Sequence, residues 1–247
     1  MNVKINNKVI VITGASKGIG SNLAIAMAKE GACVIINYFH SENKAKHLYR
    51  LINNFNNNCM IYKSDVSNLK DVRKMNAAIL NKYGKIDVLI NNAGICSDNT
   101  INSMTLSQWN NVIKTNLTGT FICCKELSKS MQKNKCGKIF NIASLKGQVA
   151  SSNQANYSAS KSGIITLTQT LAKEFAEYNV MSNAICPGFI STDLNKDNIN
   201  KIKLASESSL LNIDYSLNDL ISFLIFACSD HFKGISGQVF NLDSRLV

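Results

Sequence analysis

The sequence lacks any continuous apolar run of about 18 residues, so no transmembrane helix is predicted. Its opening, Met1 to Lys8, is polar and has no apolar core of the secretory kind, so a cytoplasmic protein is expected. There is no CxxC pair, and no Cys/His spacing suits zinc, so no metal site is expected. The eight cysteines are scattered from Cys33 to Cys228 and read as small apolar residues rather than as a disulfide framework. Acidic residues are scarce, 16 against 27 Lys and Arg, which leaves a net charge of +11. A nucleic-acid surface would stripe its lysines with aromatics. Here they are spread out, so nucleic-acid binding is not expected. The excess could still attract an acidic carrier protein or a phosphorylated substrate. Proline occurs once, beside abundant Lys and Asn, which looks like a coding bias. No internal repeat appears.

What is present is an alternation. Short β-branched or apolar runs occur at Val9 to Thr13, Cys33 to Asn37, Cys59 to Lys63, Ile86 to Asn91, Lys138 to Ala143, Val180 to Cys186 and Gln238 to Leu242. Helical patterns lie between them. Ser41 is placed to cap one helix and Ser67 another, and a long helix is predicted from Leu106 to Met131. A further helix runs from Asn156 to Glu177. Buried strands alternating with helices predict an α/β fold, a doubly wound parallel seven-stranded sheet of the Rossmann type. With 247 residues, 45% of them apolar, one domain spanning 1–247 is expected. Asn195 to Ser216 has the least pattern, and after the sixth strand it could form a lid.

The turn after the first strand reads Thr13-Gly14-Ala15-Ser16-Lys17-Gly18-Ile19-Gly20. Gly14 permits the tight turn, and Gly18 lets the backbone approach a pyrophosphate at a helix N-terminus. Gly20 allows helix and strand to pack closely, while Ser16, Lys17 and Ile19 complete the cradle. An NAD site usually carries an acid about 20 residues on. Here none stands between Glu30 and Glu42, and Lys17 can meet a 2′-phosphate, so NADP(H) is favoured. Asp65 and Val66 follow the third strand, where Asp65 can accept from an adenine amino group or merely close a turn. Asn92, Ala93 and Gly94 follow the fourth and leave room for a ribose.

Tyr157 and Lys161 lie four apart on one helical face. A free phenol titrates near 10, and an adjacent ammonium group would lower that value towards the working pH of a general acid. Ser144, after the fifth strand, could orient a carbonyl oxygen from the same rim. The plainer readings are a core tyrosine with a snorkelling lysine, and a capping serine.

Together TGASKGIG, NNAG, Asn116, Ser144, YSASK and Pro187-Gly188 resemble the short-chain dehydrogenase/reductase family in order and spacing, from about Asn7 to Leu242. The resemblance implies that Tyr157 is the acid/base, that Lys161 also holds the nicotinamide ribose and that Ser144 orients substrate. It implies that Asn116 anchors a water in a proton relay. It makes Pro187, Gly188, Ile190 and Thr192 the nicotinamide-side loop. Within the family the chain is similar to 3-oxoacyl-[acyl-carrier-protein] reductases, which reduce a β-keto thioester with NADPH, form homotetramers and dock an acidic acyl-carrier protein through basic residues beside the active-site mouth. Lys135 matches one such residue, whereas Tyr178 stands at the other. Asp243-Ser244-Arg245 replaces the family's Gly-Gly, and Leu210 to Tyr215 lacks its Gly-Arg and Pro-Glu. The expected activity is therefore reduction of a 3-oxoacyl thioester. The alternatives are a ketoreductase or alcohol dehydrogenase for a polyketide, sugar or steroid-like ketone, and a non-catalytic nucleotide-binding scaffold.

Overall fold

A computed structural model describes residues 3–192 and 199–245. Seven parallel strands form one sheet in the order β3-β2-β1-β4-β5-β6-β7. They are β1 (Val9–Ile12), β2 (Cys33–Tyr38), β3 (Cys59–Lys63), β4 (Val88–Asn91), β5 (Gly137–Ile142), β6 (Val180–Pro187) and β7 (Val239–Leu242). All residues of β1, β2, β4 and β5 are buried, which explains why these strands are largely apolar, with Asn37, Asn91, Lys138 and Asn141 as buried polar exceptions.

Alternation along the strands divides the core. Ile10, Ile12, Val34 and Ile36 face one layer with Leu23 and Met27 of α1 (Gly18–Lys29) and Leu220 and Leu224 of α8 (Ser216–Cys228). Val9, Val11, Ile35 and Leu89 face the other, against Val72 and Met75 of α3 (Leu69–Tyr83), Leu127 of α5 (Gly119–Lys133) and Leu171 of α6 (Ala155–Glu174). The strand order reverses between β1 and β4. Their carboxyl ends therefore open the crevice in which doubly wound sheets bind ligands.

Several sequence expectations change. The helix predicted from Leu106 is interrupted: α4 (Leu106–Ile113) passes into a π turn at Lys114–Thr118 before α5 begins. The Asn116 carbonyl accepts from Thr120 Oγ1 at 2.7 Å there, and π turns often mark functional sites. Asn68, not Ser67, caps α3, its Oδ1 accepting from the Lys70 and Asp71 amides at 2.9 and 3.3 Å. Ser67 is taken up by Asp65 instead. Ser41 occupies the cap position of α2 (Glu42–Asn53) without making a side-chain capping bond. The helix predicted to Glu177 ends at Glu174, and a 3₁₀ turn at Ala176–Tyr178 follows it. Within the segment read as unpatterned, α7 (Ile199–Ser208) and a 3₁₀ turn at Ile213–Tyr215 form, while 195–198 lie outside the described residues. No disulfide forms: six cysteines are buried, and Cys96 and Cys136 are exposed. Among the described residues no helix is long and apolar enough to cross a membrane.

Candidate active site

The glycine turn is held by polar side chains from β2 and from the chain just after β1 and β4. Gly14 sits at φ +61°, and a Cβ there would lie 2.8 Å from Ala93 Cα. The Gly14 amide donates to Asn37 Oδ1 at 3.2 Å, and Asn37 Nδ2 donates to the Ser64 carbonyl at 3.0 Å. This one buried amide thus ties β1, β2 and β3 together at their carboxyl ends. Asn92 Nδ2 donates to the Thr13 carbonyl at 2.9 Å, while the Asn92 and Ala93 amides both donate to Thr13 Oγ1 at 3.0 Å. Asn92 is therefore engaged in fixing the turn. A Cβ on Gly20 would meet Asn92 Nδ2 at 2.6 Å, so the close approach requires glycine. Lys17, exposed at the N-cap of α1, makes no side-chain bond to that helix. The first amides of α1 are thus left to an anion. Ser16 and Ile19 are half-buried beside them. Gly18, at φ +59°, faces Thr192, whose Cβ would be 3.6 Å from an added methyl. That contact brings the loop after β6 against the glycine turn.

Further out, Asp65 Oδ1 accepts from the Ser67 amide at 2.9 Å and its hydroxyl at 2.7 Å, the bonding of a turn aspartate. Val66 packs on α5, where a Cβ on Gly119 would lie 2.8 Å from its Cγ2. Asp65 also lines a cleft of ≈ 280 Å³ with Phe39, Tyr62, Lys63 and Lys74. Glu42, the acid nearest the end of β2, pairs with Lys46 at 2.7 Å and stands 3.8 Å from Lys63.

The second group converges from β5, the π turn and α6. Asn156 anchors the start of α6: its Nδ2 donates to the Ser97 and Gln108 carbonyls at 2.9 and 3.3 Å, and its Oδ1 accepts from the Tyr157 amide at 2.7 Å. One turn on, Lys161 is buried, with Nζ 5.6 Å from the Tyr157 ring centre and donating to the Ile142 carbonyl at 2.6 Å. Ser144 accepts from the Lys146 amide at 3.2 Å and hydrogen-bonds the Tyr157 side chain. Gly147 lets this loop lie directly on α6, since a Cβ there would be 2.7 Å from the Lys161 carbonyl carbon. The Asn116 side chain is spent on structure. It accepts from the Ile95 amide at 2.8 Å and donates to the Ile95 carbonyl at 3.0 Å and Ser160 Oγ at 3.1 Å. Any water held by Asn116 must use its main-chain carbonyl, which Thr120 already shares.

Burial dominates the electrostatics. It pushes the Tyr157 phenol above its usual range, Cys96 adds to the rise, and the Ser144 hydrogen bond pulls the other way. Burial also lowers Lys161 to about 8. The lowering of Tyr157 by Lys161 expected from the sequence is therefore not what this structure shows. The ammonium group points at a backbone carbonyl, and desolvation disfavours its charged form.

On the remaining side, Pro187 ends β6 and Ile190 is buried. Gly188 is wedged in: a Cβ there would meet Ser216 Oγ at 2.6 Å and the Leu242 carbonyl oxygen at 2.9 Å.

Comparison with known proteins places the chain in a family. The family described as short chain dehydrogenase matches residues 8–203. A 3-oxoacyl-[acyl-carrier-protein] reductase of Synechocystis is 38% identical over 241 residues, covering 97% of each chain. The 3-oxoacyl-[acyl-carrier-protein] reductase FabG of Staphylococcus epidermidis is 34% identical over 242 residues, 97% of this chain and 99% of that one. The chain belongs to the short-chain dehydrogenase family. It is an oxidoreductase of that family by descent. Its fold also superimposes on the crystal structure of gox2181 with a TM-score of 0.90 at 27% identity, covering 97% of this chain and 95% of that one.

A nicotinamide dinucleotide is the group such a fold implies, and the residues present fit one. The uncapped start of α1 suits a pyrophosphate. A Cβ on Gly94 would stand 3.4 Å from Asn116 Oδ1 and 3.9 Å from Lys161 Nζ, so its absence keeps space open before that lysine.

One expected placement does not hold. Lys135 precedes β5 and Tyr178 precedes β6, so both stand at the amino edge of the sheet, a strand's length from Ser144. Within one chain, Lys135 is not beside the active-site mouth. Asn37, Asn156 and Gly147 belong to the site through long-range contacts that spacing does not signal. The one available signal was Asn37, a polar residue inside an apolar strand.

Proposed function

We propose that this chain reduces a 3-oxoacyl thioester, on a carrier protein or coenzyme A, to the 3-hydroxyacyl form, with NADPH as reductant and Tyr157 as general acid. The convergence of Ser144, Tyr157 and Lys161 at the rim facing the glycine turn carries this reading. Names of relatives that are 3-oxoacyl-[acyl-carrier-protein] reductases supply the substrate class. Bound NADPH would supply the hydride. Gly14, Ser16, Lys17, Gly18, Ile19 and Gly20 would hold its pyrophosphate side, and Asp65, Val66, Asn92, Ala93 and Gly94 its adenosine and ribose. Pro187, Gly188, Ile190 and Thr192 would flank the nicotinamide. The phosphorylated cofactor is favoured because β2 ends without an acid and Glu42 is paired with lysines.

Ser144 orients the carbonyl oxygen, and Tyr157 gives it a proton as the carbon is reduced. A phenol held above its usual range stays protonated at neutral pH, which is the form an acid needs. Lys161, at about 8, remains largely charged there and would hold the nicotinamide ribose, the role the family resemblance gives it. Asn116 keeps the loop after β4 in place. An acidic carrier suits the net charge of +11, and the family resemblance favours a homotetramer.

The test follows NADPH oxidation with acetoacetyl thioesters and with unrelated ketones. Wild type should prefer the thioesters. Tyr157→Phe should bind NADPH normally and turn over about 10²–10⁴-fold more slowly. Undiminished turnover in that variant, or rejection of every thioester by wild type, defeats the proposal.

A further inference from the structure

Between β6 and α8 the chain leaves the sheet at Pro187 and reaches α8 at Ser216, and both of these ends lie at the carboxyl rim that carries Ser144. Its described outer part has little core to hold it. Ala205 is buried, whereas Ile199, Leu204, Leu210 and Leu211 are exposed. What grips it is the tail after β7. The Leu210 amide donates to the Ser244 carbonyl at 3.3 Å, and the Leu211 amide donates to Ser244 Oγ at 3.1 Å. Ser209 and Arg245 also form an antiparallel bridge.

The tail is itself held by its own side-chain bonds. The Asp243 side chain is only 3% exposed, and its Oδ1 accepts from the Arg245 amide at 2.9 Å and Nε at 3.0 Å. Its Oδ2 accepts from Nε at 2.8 Å and from Nη2. This forked pairing of a planar guanidinium with a carboxylate fixes the turn that carries Ser244. The same strand end holds the loop that follows Ser144. Gln148 Nε2 donates to Asn241 Oδ1 at 2.5 Å, and Asn241 Nδ2 donates back to Gln148 Oε1 at 3.3 Å. Both the serine loop and the rim excursion are therefore referred to the end of β7.

We propose that Asp243, Ser244 and Arg245 are positioning residues for the carbonyl substrate. They clamp Ser209–Leu211 to the end of β7, the same strand end that holds the loop following Ser144 through Asn241 and Gln148. The proposal rests on the reductase reading above. It also gives the residues that replace the family's Gly-Gly a defined task.

Two full-length variants test it, Ser244→Ala and Arg245→Gln. Amide exchange reads the clamp without any activity. The Leu211 amide should exchange at least about tenfold faster in both variants, as a local opening with the rest of the sheet unchanged. In the assay, KM for the carbonyl substrate should rise about tenfold, while kcat and the Kd for NADPH stay within about twofold, the pattern of lost substrate positioning alone. Unchanged exchange at Leu211 overturns the clamp. Faster exchange with an unchanged KM overturns its role in substrate binding, and so does an equal loss of NADPH affinity. If wild type accepts no thioester, the reductase reading fails by itself. The exchange result, and KM for whichever ketone is accepted, then still decide the clamp.

Discussion

Replacing Gly14 by alanine separates two costs that the structure assigns to one position. The residue sits at φ +61°, a conformation that costs an L residue about 1–2 kcal/mol. An added Cβ would also lie 2.8 Å from Ala93 Cα and 3.1 Å from Ala93 Cβ. Neither neighbour is the movable end of a long side chain, so the loops after β1 and β4 must part. Overpacking of that kind costs about 1–3 kcal/mol more. Gly84 is the natural control, since it has φ +74° and nothing within 4 Å of an added Cβ. Gly84→Ala should lose about 1–2 kcal/mol, and Gly14→Ala about 2–5 kcal/mol. Urea unfolding followed by far-ultraviolet circular dichroism measures both, compared at equal m. Parting the loops also disturbs the cradle, so Gly14→Ala should weaken NADPH binding by more than about tenfold, which is about 1.4 kcal/mol. Gly84→Ala should leave binding unchanged. Equal stability losses in the two variants would refute the reasoning, because no close approach to Ala93 would then exist.

Asn37→Ala removes the side chain that joins the Gly14 amide to the Ser64 carbonyl; it should cost about 1–3 kcal/mol in denaturant titrations, and a neutral result would show that the latch is idle. Lys17→Ala should weaken NADPH more than NADH in direct binding titrations, with equal weakening counting against a phosphate contact. Lys138 is buried in β5, donates to the Ala227 carbonyl at 2.9 Å and to the Ser229 carbonyl, and is lowered by burial to about 8. The folded chain then binds fewer protons at this site than the unfolded chain between about pH 8 and the ordinary 10.5, so this lysine makes stability rise with pH across that window. The wild-type stability minus that of Lys138→Met should grow by up to about 3 kcal/mol over that range, at about 1.4 kcal/mol for each tenfold change. A pH-independent difference would reject a depressed lysine there.

Much of this protein was legible before any coordinates. Apolar runs of strand length, separated by helical patterns, lead to a parallel sheet because only burial on both faces tolerates such strands. Residues four apart on a helix must share a face, so Tyr157 and Lys161 were bound to meet, and a glycine turn between strand and helix was bound to expose backbone amides. These are local rules, and sequence spacing carries them. Other features depend on distant chain segments. The π turn at Asn116 arises where Ile95, Ser160 and Thr120 claim its polar groups. The upward push on Tyr157 and the fall of Lys161 to about 8 come from burial, which no pair spacing reports. Lys135 matched a family position, yet strand direction sets it at the opposite edge from Ser144. The grip of Ser244 on Leu210 and Leu211 likewise joins segments far apart in the chain. Sequence by itself determined most of the elements and which residues are candidates for the site, because those follow from short-range periodicity and spacing. Tertiary structure alone decided the direction of the pKa shifts, the clamping and which edge each residue occupies, because desolvation and long-range hydrogen bonds exist only once the layers have packed.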